Sequence, residues 1–197
     1  MIKVIHRVNT IKELKKIPKK FGVEVDVRSF NNDLILSHEA FCNGDMLEDY
    51  LSSYNHRLLI LEVKEEGIEE KIIALCKKFH IKNYFLLSVS FPFIYLLSNK
   101  KFRKLAARLS EFEDISTCLS LKNKIEWVWV DTFNKLPIDR SKFEKLKNAN
   151  FRICLVSPER WNRPYEIKKY ANYLRHNRIF INAVMTEMKY IGQWEHE

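Results

Sequence analysis

The chain has 197 residues, 46% of them hydrophobic, 30% charged and 13% aromatic, with four Gly, five Pro and four Cys. That composition suits one well-cored domain and excludes disordered, collagen-like, low-complexity and disulfide-scaffold proteins. Thirty-four Lys and Arg against 25 Asp and Glu leave a formal charge of +9, which favours anionic partners without choosing among phosphoesters, nucleic acid and acidic lipid.

Apolar, β-branched runs alternate with helix-period runs from end to end. Strands are expected at 3–8, 22–29, 57–64, 83–90, 102–110, 125–131, 151–157 and 178–184, with a short extra one at 34–38 after the turn-like Asn31-Asn32-Asp33. Helices are expected at 11–20, 45–54, 68–79, 92–98, 113–121, 141–147 and 165–176, with a last short helix at 187–194. Thr10 with Glu13, Asp45 with Glu48, and Ser141 with Glu144 have capping-box spacing, and Pro92 and Pro164 suit first-turn positions. No apolar run approaches the ~20 residues of a bilayer-spanning helix. The first ten residues lack the basic-then-apolar order of a secretory signal, so a cytoplasmic location is expected. Cys42, Cys76, Cys118 and Cys154 are singly spaced and are expected to be free, mostly buried thiols.

The alternation predicts a parallel sheet with crossover helices. Eight units make a compact (β/α)8 TIM barrel, a single domain over residues 1–197, the natural arrangement. A doubly wound open sheet accounts for the same pattern with one or two strands fewer.

Charged residues stand where a core is expected. The first strand ends in Ile5-His6-Arg7-Val8, the second reads Gly22-Val23-Glu24-Val25-Asp26-Val27-Arg28, and the segment after it ends in Ser37-His38-Glu39. The third reads Leu61-Glu62-Val63-Lys64. Strand alternation puts Glu24 and Asp26 on one face and the valines on the other, and puts Glu62 and Lys64 together. Three carboxylates converging near a barrel mouth repel one another and need compensation, which a hard divalent cation, Mg²⁺ or Ca²⁺, supplies better than zinc. His6 and His38 beside them suit general acid–base work, and Arg7 and Lys64 suit phosphate oxygens. Taken singly, an E-x-D on a strand is also what an exposed, salt-bridged edge face looks like. Its placement at three successive strand ends, where barrel active sites lie, favours chemistry.

In order, His6-Arg7…Asn9-Thr10, Glu24-Val25-Asp26-Val27, His38-Glu39 and Glu62-Val63-Lys64 resemble the motifs of the glycerophosphodiester phosphodiesterase family, in the wider phosphatidylinositol-phospholipase-C-like superfamily. The resemblance covers about the first 65 residues; beyond them Ser88-Val89-Ser90-Phe91 and Thr186-Glu187 are weaker matches. It implies a (β/α)8 barrel, one divalent cation on Glu24, Asp26 and Glu62, a His6/His38 acid–base pair, and phosphate contacts from Arg7 and Lys64. The small phosphodiester substrate is expected to be glycerophosphodiester-like. Val8 stands where the family has Gly, Glu39 where it has Asp, and the run from His38 to Asp45 leaves no room for the insertion many members carry. Val8 and the small size of the chain motivate a second reading, a barrel that keeps the site but has lost turnover and serves as a ligand-binding or assembly component. Ser90, Glu111 and Trp129 are candidates to frame the leaving group by hydrogen bonding and stacking. No helix-turn-helix spacing, zinc motif or RNP-like aromatic pattern accompanies the positive charge, so no specific nucleic-acid partner is expected.

Overall fold

A computed structural model describes residues 1–194. The chain divides into two compact units, Val4–Lys100 and Met1–Lys3 with Lys101–Glu197. In the first lie β1 (Ile2–Ile5, from Val4 on), α1 (Ile11–Leu14), β2 (Gly22–Phe30), β3 (Asp33–Leu36), β4 (Asp45–Met46), α2 (Leu47–Ser52), β5 (Leu59–Val63), α3 (Glu69–Lys78), β6 (Tyr84–Leu87) and α4 (Phe91–Asn99). Strands β1, β2, β5 and β6 pair in parallel in that order, joined by helical crossovers. The upper half of β2 also carries the antiparallel β3, which in turn pairs with β4. The core of this unit is made by Val23, Val25 and Val27 of β2 with Leu59, Ile60 and Leu61 of β5, all fully buried. Gly22 is where β1, β2 and β5 converge: a Cβ there would lie 2.7 Å from the Leu58 carbonyl oxygen and 3.0 Å from Val4 Cγ2.

The second unit repeats the parallel pattern. It contains β7 (Ala106–Leu109), α5 (Ile115–Ser120), β8 (Trp127–Val130), α6 (Arg140–Asn148), β9 (Arg152–Val156), α7 (Ile167–His176) and β10 (Ala183–Thr186), with 3-10 turns at Pro158–Trp161, Pro164–Glu166 and Met188–Trp194. The strands pair in parallel in the order β7, β8, β9, β10. Their residues are almost all buried, as in a sheet covered on both faces.

Several elements differ from the sequence expectation. The helix expected over 11–20 stops at Leu14. Pro18 disfavours helix at Ile17 before it, which ends the helix although Ile17 keeps the apolar spacing. Asp45 does not open a helix; it lies in β4, and its Oδ2 accepts from the Ile11 N–H at 2.6 Å, capping α1 instead. The cap of α6 is Asp139 rather than Ser141, accepting from Lys142 N–H at 2.8 Å. Thr10 does form its capping box with Glu13. The final helix expected over 187–194 is a 3-10 turn. As expected, all four cysteines are free and most are buried, Cys42 being the exposed one.

Candidate metal and phosphate site

The parallel register sets Asp26 of β2 directly beside Glu62 of β5. Adjacent strands lie about 4.8 Å apart, and Glu24, two residues before Asp26, shares its face. One oxygen from each of Glu24, Asp26 and Glu62 lies within 4.8 Å of the others. Glu24 and Asp26 are 1% and 0% exposed. An exposed, salt-bridged edge face is therefore not what this E-x-D makes.

The first strand's exit wraps this cluster. Arg7 adopts a left-handed backbone, φ 53°, and its N–H donates to Glu24 Oε2 at 2.8 Å. The next N–H, that of Val8, donates to the Glu24 carbonyl at 2.9 Å. Asn9 braces Asp26 twice: its Nδ2 donates to Oδ2, and its Oδ1 accepts from the Asp26 N–H, both at 2.8 Å. Lys64 Nζ lies 2.9 Å from Asp26 Oδ1 and 3.2 Å from Glu62 Oε2. The Ser88 hydroxyl, on a second left-handed residue after β6, donates to Glu62 Oε1 at 3.0 Å. Asn9 and Ser88 belong to quoted motifs but carried no assigned role; a polar residue just past each strand end was the available signal.

Electrostatics separate the carboxylates. Burial, then repulsion from Asp26 and Glu62, pushes Glu24 up to about 8. Asp26 is also penalised by burial, but its hydrogen bonds from Asn9 and Lys64 outweigh that penalty and hold it below its ordinary value. Glu24 Oε1 is buried without a hydrogen-bond donor among the described residues. Three ionised carboxylates with one ammonium leave two negative charges, and the donors are hard oxygens. The residues thus fit a divalent cation of the Mg²⁺ or Ca²⁺ kind.

Both histidines lie in the same unit as the cluster. His6 Nε2 is 3.8 Å from Glu24 Oε2. His38 lies in the loop between β3 and β4; its Nδ1 lies 2.5 Å from Glu39 Oε1 and its Nε2 contacts the Arg7 guanidinium. Arginine has no lone pair to offer, so Nε2 accepts and the proton sits on Nδ1, donated to Glu39. That bond holds the Glu39 carboxyl below its ordinary range. Gly44 closes the loop against β3: a Cβ there would lie 2.1 Å from the Leu36 carbonyl oxygen.

The leaving-group candidates are placed less tellingly. Ser90 is the N-cap residue of α4, and its Oγ is buried without a hydrogen-bond partner among the described residues. In the second unit Glu111 Oε1 accepts from Asn134 N–H at 2.6 Å, and Glu111 borders a cleft of about 420 Å³ that Lys135, Lys142 and Tyr173 also line. Trp129 is 3% exposed, and its Nε1 donates to Asp131 Oδ2 at 3.4 Å. Asp131 also accepts from Arg108 and from Trp161 Nε1.

No protein-family model matches the chain. No curated protein sequence matches it either. Its fold is that of solved phosphodiesterase structures. A glycerophosphodiester phosphodiesterase from Agrobacterium tumefaciens superposes with a TM-score of 0.68 at 15% identity, covering 95% of this chain and 97% of that one. A glycerophosphoryl diester phosphodiesterase from Parabacteroides distasonis gives 0.62 at 12% identity, covering 93% and 81%. An Oleispira antarctica phosphodiesterase, solved with its product sn-glycerol-3-phosphate, gives 0.62 at 14% identity, covering 94% and 92%.

Proposed function

We propose that the protein is a metal-dependent phosphodiesterase that cleaves a glycerophosphodiester-like or other small phosphodiester by His6/His38 general acid–base catalysis. The carrying observation is the triad of converging carboxylates, the buried Glu24 and Asp26 and the half-buried Glu62, bracketed by two imidazoles and two cations. The likeness in fold to phosphodiesterases supports the reaction class, and the product in the Oleispira antarctica structure supports a phosphoglycerol-sized substrate. The finer fold reading, a (β/α)8 barrel, is part of the same proposal, supported by eight parallel strands among the described residues.

Glu24, Asp26 and Glu62 would hold the cation, which when bound stabilises negative charge developing on a phosphoryl oxygen. Lys64 and Arg7 take non-bridging phosphate oxygens. Arg7 leaves His38 Nε2 to do so, and the Nδ1 hydrogen bond to Glu39 keeps the lone pair on Nε2. His38 then accepts the proton of the attacking hydroxyl as its oxygen bonds to phosphorus. His6, whose Nε2 lies 3.8 Å from Glu24 Oε2, delivers a proton to the departing alkoxide as the second P–O bond breaks. For the alcohol portion, Ser90, in the same unit as the carboxylates, keeps a buried hydroxyl without a hydrogen-bond partner among the described residues. A cytoplasmic setting completes the proposal.

The test is phosphorus NMR of glycerophosphodiesters incubated with the cation-loaded protein. A new monoester or cyclic-phosphate resonance is expected, and chelator or Glu62→Ala should abolish it. Cation and phosphate-ligand binding with no product across a diester panel would instead establish the turnover-free alternative.

A further inference from the structure

We propose that α4 and the chain around it form a docking surface for an anionic membrane, a bilayer rich in acidic phospholipid headgroups. Helix α4 reads Phe-Pro-Phe-Ile-Tyr-Leu-Leu-Ser-Asn and has no charged residue. Ile94 and Leu97 are buried, whereas Phe91, Tyr95 and Leu96 are 55%, 60% and 50% exposed. At 100° per residue, Phe91, Tyr95, Pro92 and Leu96 fall on one arc of about 140°, so the exposed apolar groups form one stripe. The other helix without charges, α5, exposes Ser116 and Ser120 instead.

The charge around this stripe identifies what covers it. Residues 71–110 contain nine Lys and Arg and no Asp or Glu. Outside that segment the remaining 25 basic residues are balanced by all 25 acidic ones, so the segment carries the whole formal +9; within it Lys78, Lys100 and Arg108 pair with Glu48, Glu70 and Asp131. The chain leaves α4 through Lys100-Lys101-Phe102-Arg103-Lys104. An apolar stripe joined to a basic run is the arrangement that binds acidic lipid surfaces: the side chains enter the headgroup–acyl boundary and the cations meet the phosphates. No helix among the described residues is long and apolar enough to cross a membrane, which leaves the surface as the place for this one.

The stripe also adjoins the carboxylate cluster in sequence. Phe91 opens α4 three residues after Ser88, whose hydroxyl bonds Glu62. On the loop that carries His38, Phe41 is fully exposed.

Sedimentation with vesicles measures this without turnover, so its outcome is separate from that of the hydrolytic reading. The full chain should bind phosphatidylglycerol vesicles, bind phosphatidylcholine vesicles weakly, and release from the former as salt is raised. Phe91→Gln/Tyr95→Gln/Leu96→Gln should lower the partition coefficient about tenfold or more. Lys101→Glu/Arg103→Glu should lower it about tenfold while leaving the apolar stripe intact. Circular dichroism checks that each variant is folded, and a misfolded triple variant leaves the charge variant to decide. The proposal is overturned by equal binding to both lipids, by variants that bind like the parent, or by salt-sensitive binding to single-stranded RNA with none to vesicles. A parent that self-associates through these residues and ignores vesicles would equally overturn it, the stripe then being an interface between copies.

Discussion

Glu24 is where pH acts most directly. Its carboxyl is raised in the folded chain from 4.5 to about 8, so its contribution to stability is full below 4.5 and is lost as pH rises to about 8. In chelator, the melting temperature should fall between about pH 5 and pH 8. Glu24→Gln should flatten that slope, and Mg²⁺ or Ca²⁺ should restore stability most at the alkaline end. Asp26, held low, has the opposite sign, its contribution being lost only as pH falls through the acid range. His38→Ala should lower turnover of a diester by about 10²–10⁴, the usual share of one acid–base group, with the fold intact by circular dichroism. The carboxylates and histidines were legible because E-x-D on a β-branched strand is a costly choice for a core. Asn9 was not, because its role depends on the return of the chain past β1 to reach both ends of Asp26. Asn9→Ala would leave the buried Asp26 N–H without its acceptor, at a cost of about 1–3 kcal/mol in urea denaturation.

Among elements, the β3–β4 hairpin does most to place His38. Leu36 pairs with Asp45 across the base of its loop, and Gly44 packs where a side chain would meet the Leu36 carbonyl. Gly44→Ala must therefore displace the loop that carries His38, and should lower both melting temperature and turnover, whereas Gly67→Ala tests only the strain of a positive φ in open space. Asp45→Ala should cost about 1 kcal/mol by uncapping α1. Sequence spacing pointed to Asp45 as a cap but assigned it the wrong helix. A capping oxygen is recognised by type, while its partner 34 residues away is set by tertiary packing. Helix α1 is shorter than its spacing suggested because Pro18 disfavours helical backbone at Ile17, although Ile17 keeps the apolar spacing after Leu14.

At the scale of the molecule, the alternation of strand and helix was readable in both units because most parallel strands, β2 excepted, are short, nearly continuous apolar runs. Strand ends were read too long, since the polar residues just past a strand, Ser88 after β6 and Asp131 after β8, are engaged by side-chain hydrogen bonds within their own units. Net charge, read as a total, hid its own informative feature: the balance is even except in the segment around α4. The account as a whole rests on a hard cation held between β2 and β5. Crystals soaked in Mn²⁺ and measured for anomalous scattering test it most directly. The account predicts one strong peak bonded to oxygens of Glu24, Asp26 and Glu62, absent in Glu24→Gln/Glu62→Gln; no peak there, with Lys64 still bridging Asp26 and Glu62, would contradict it.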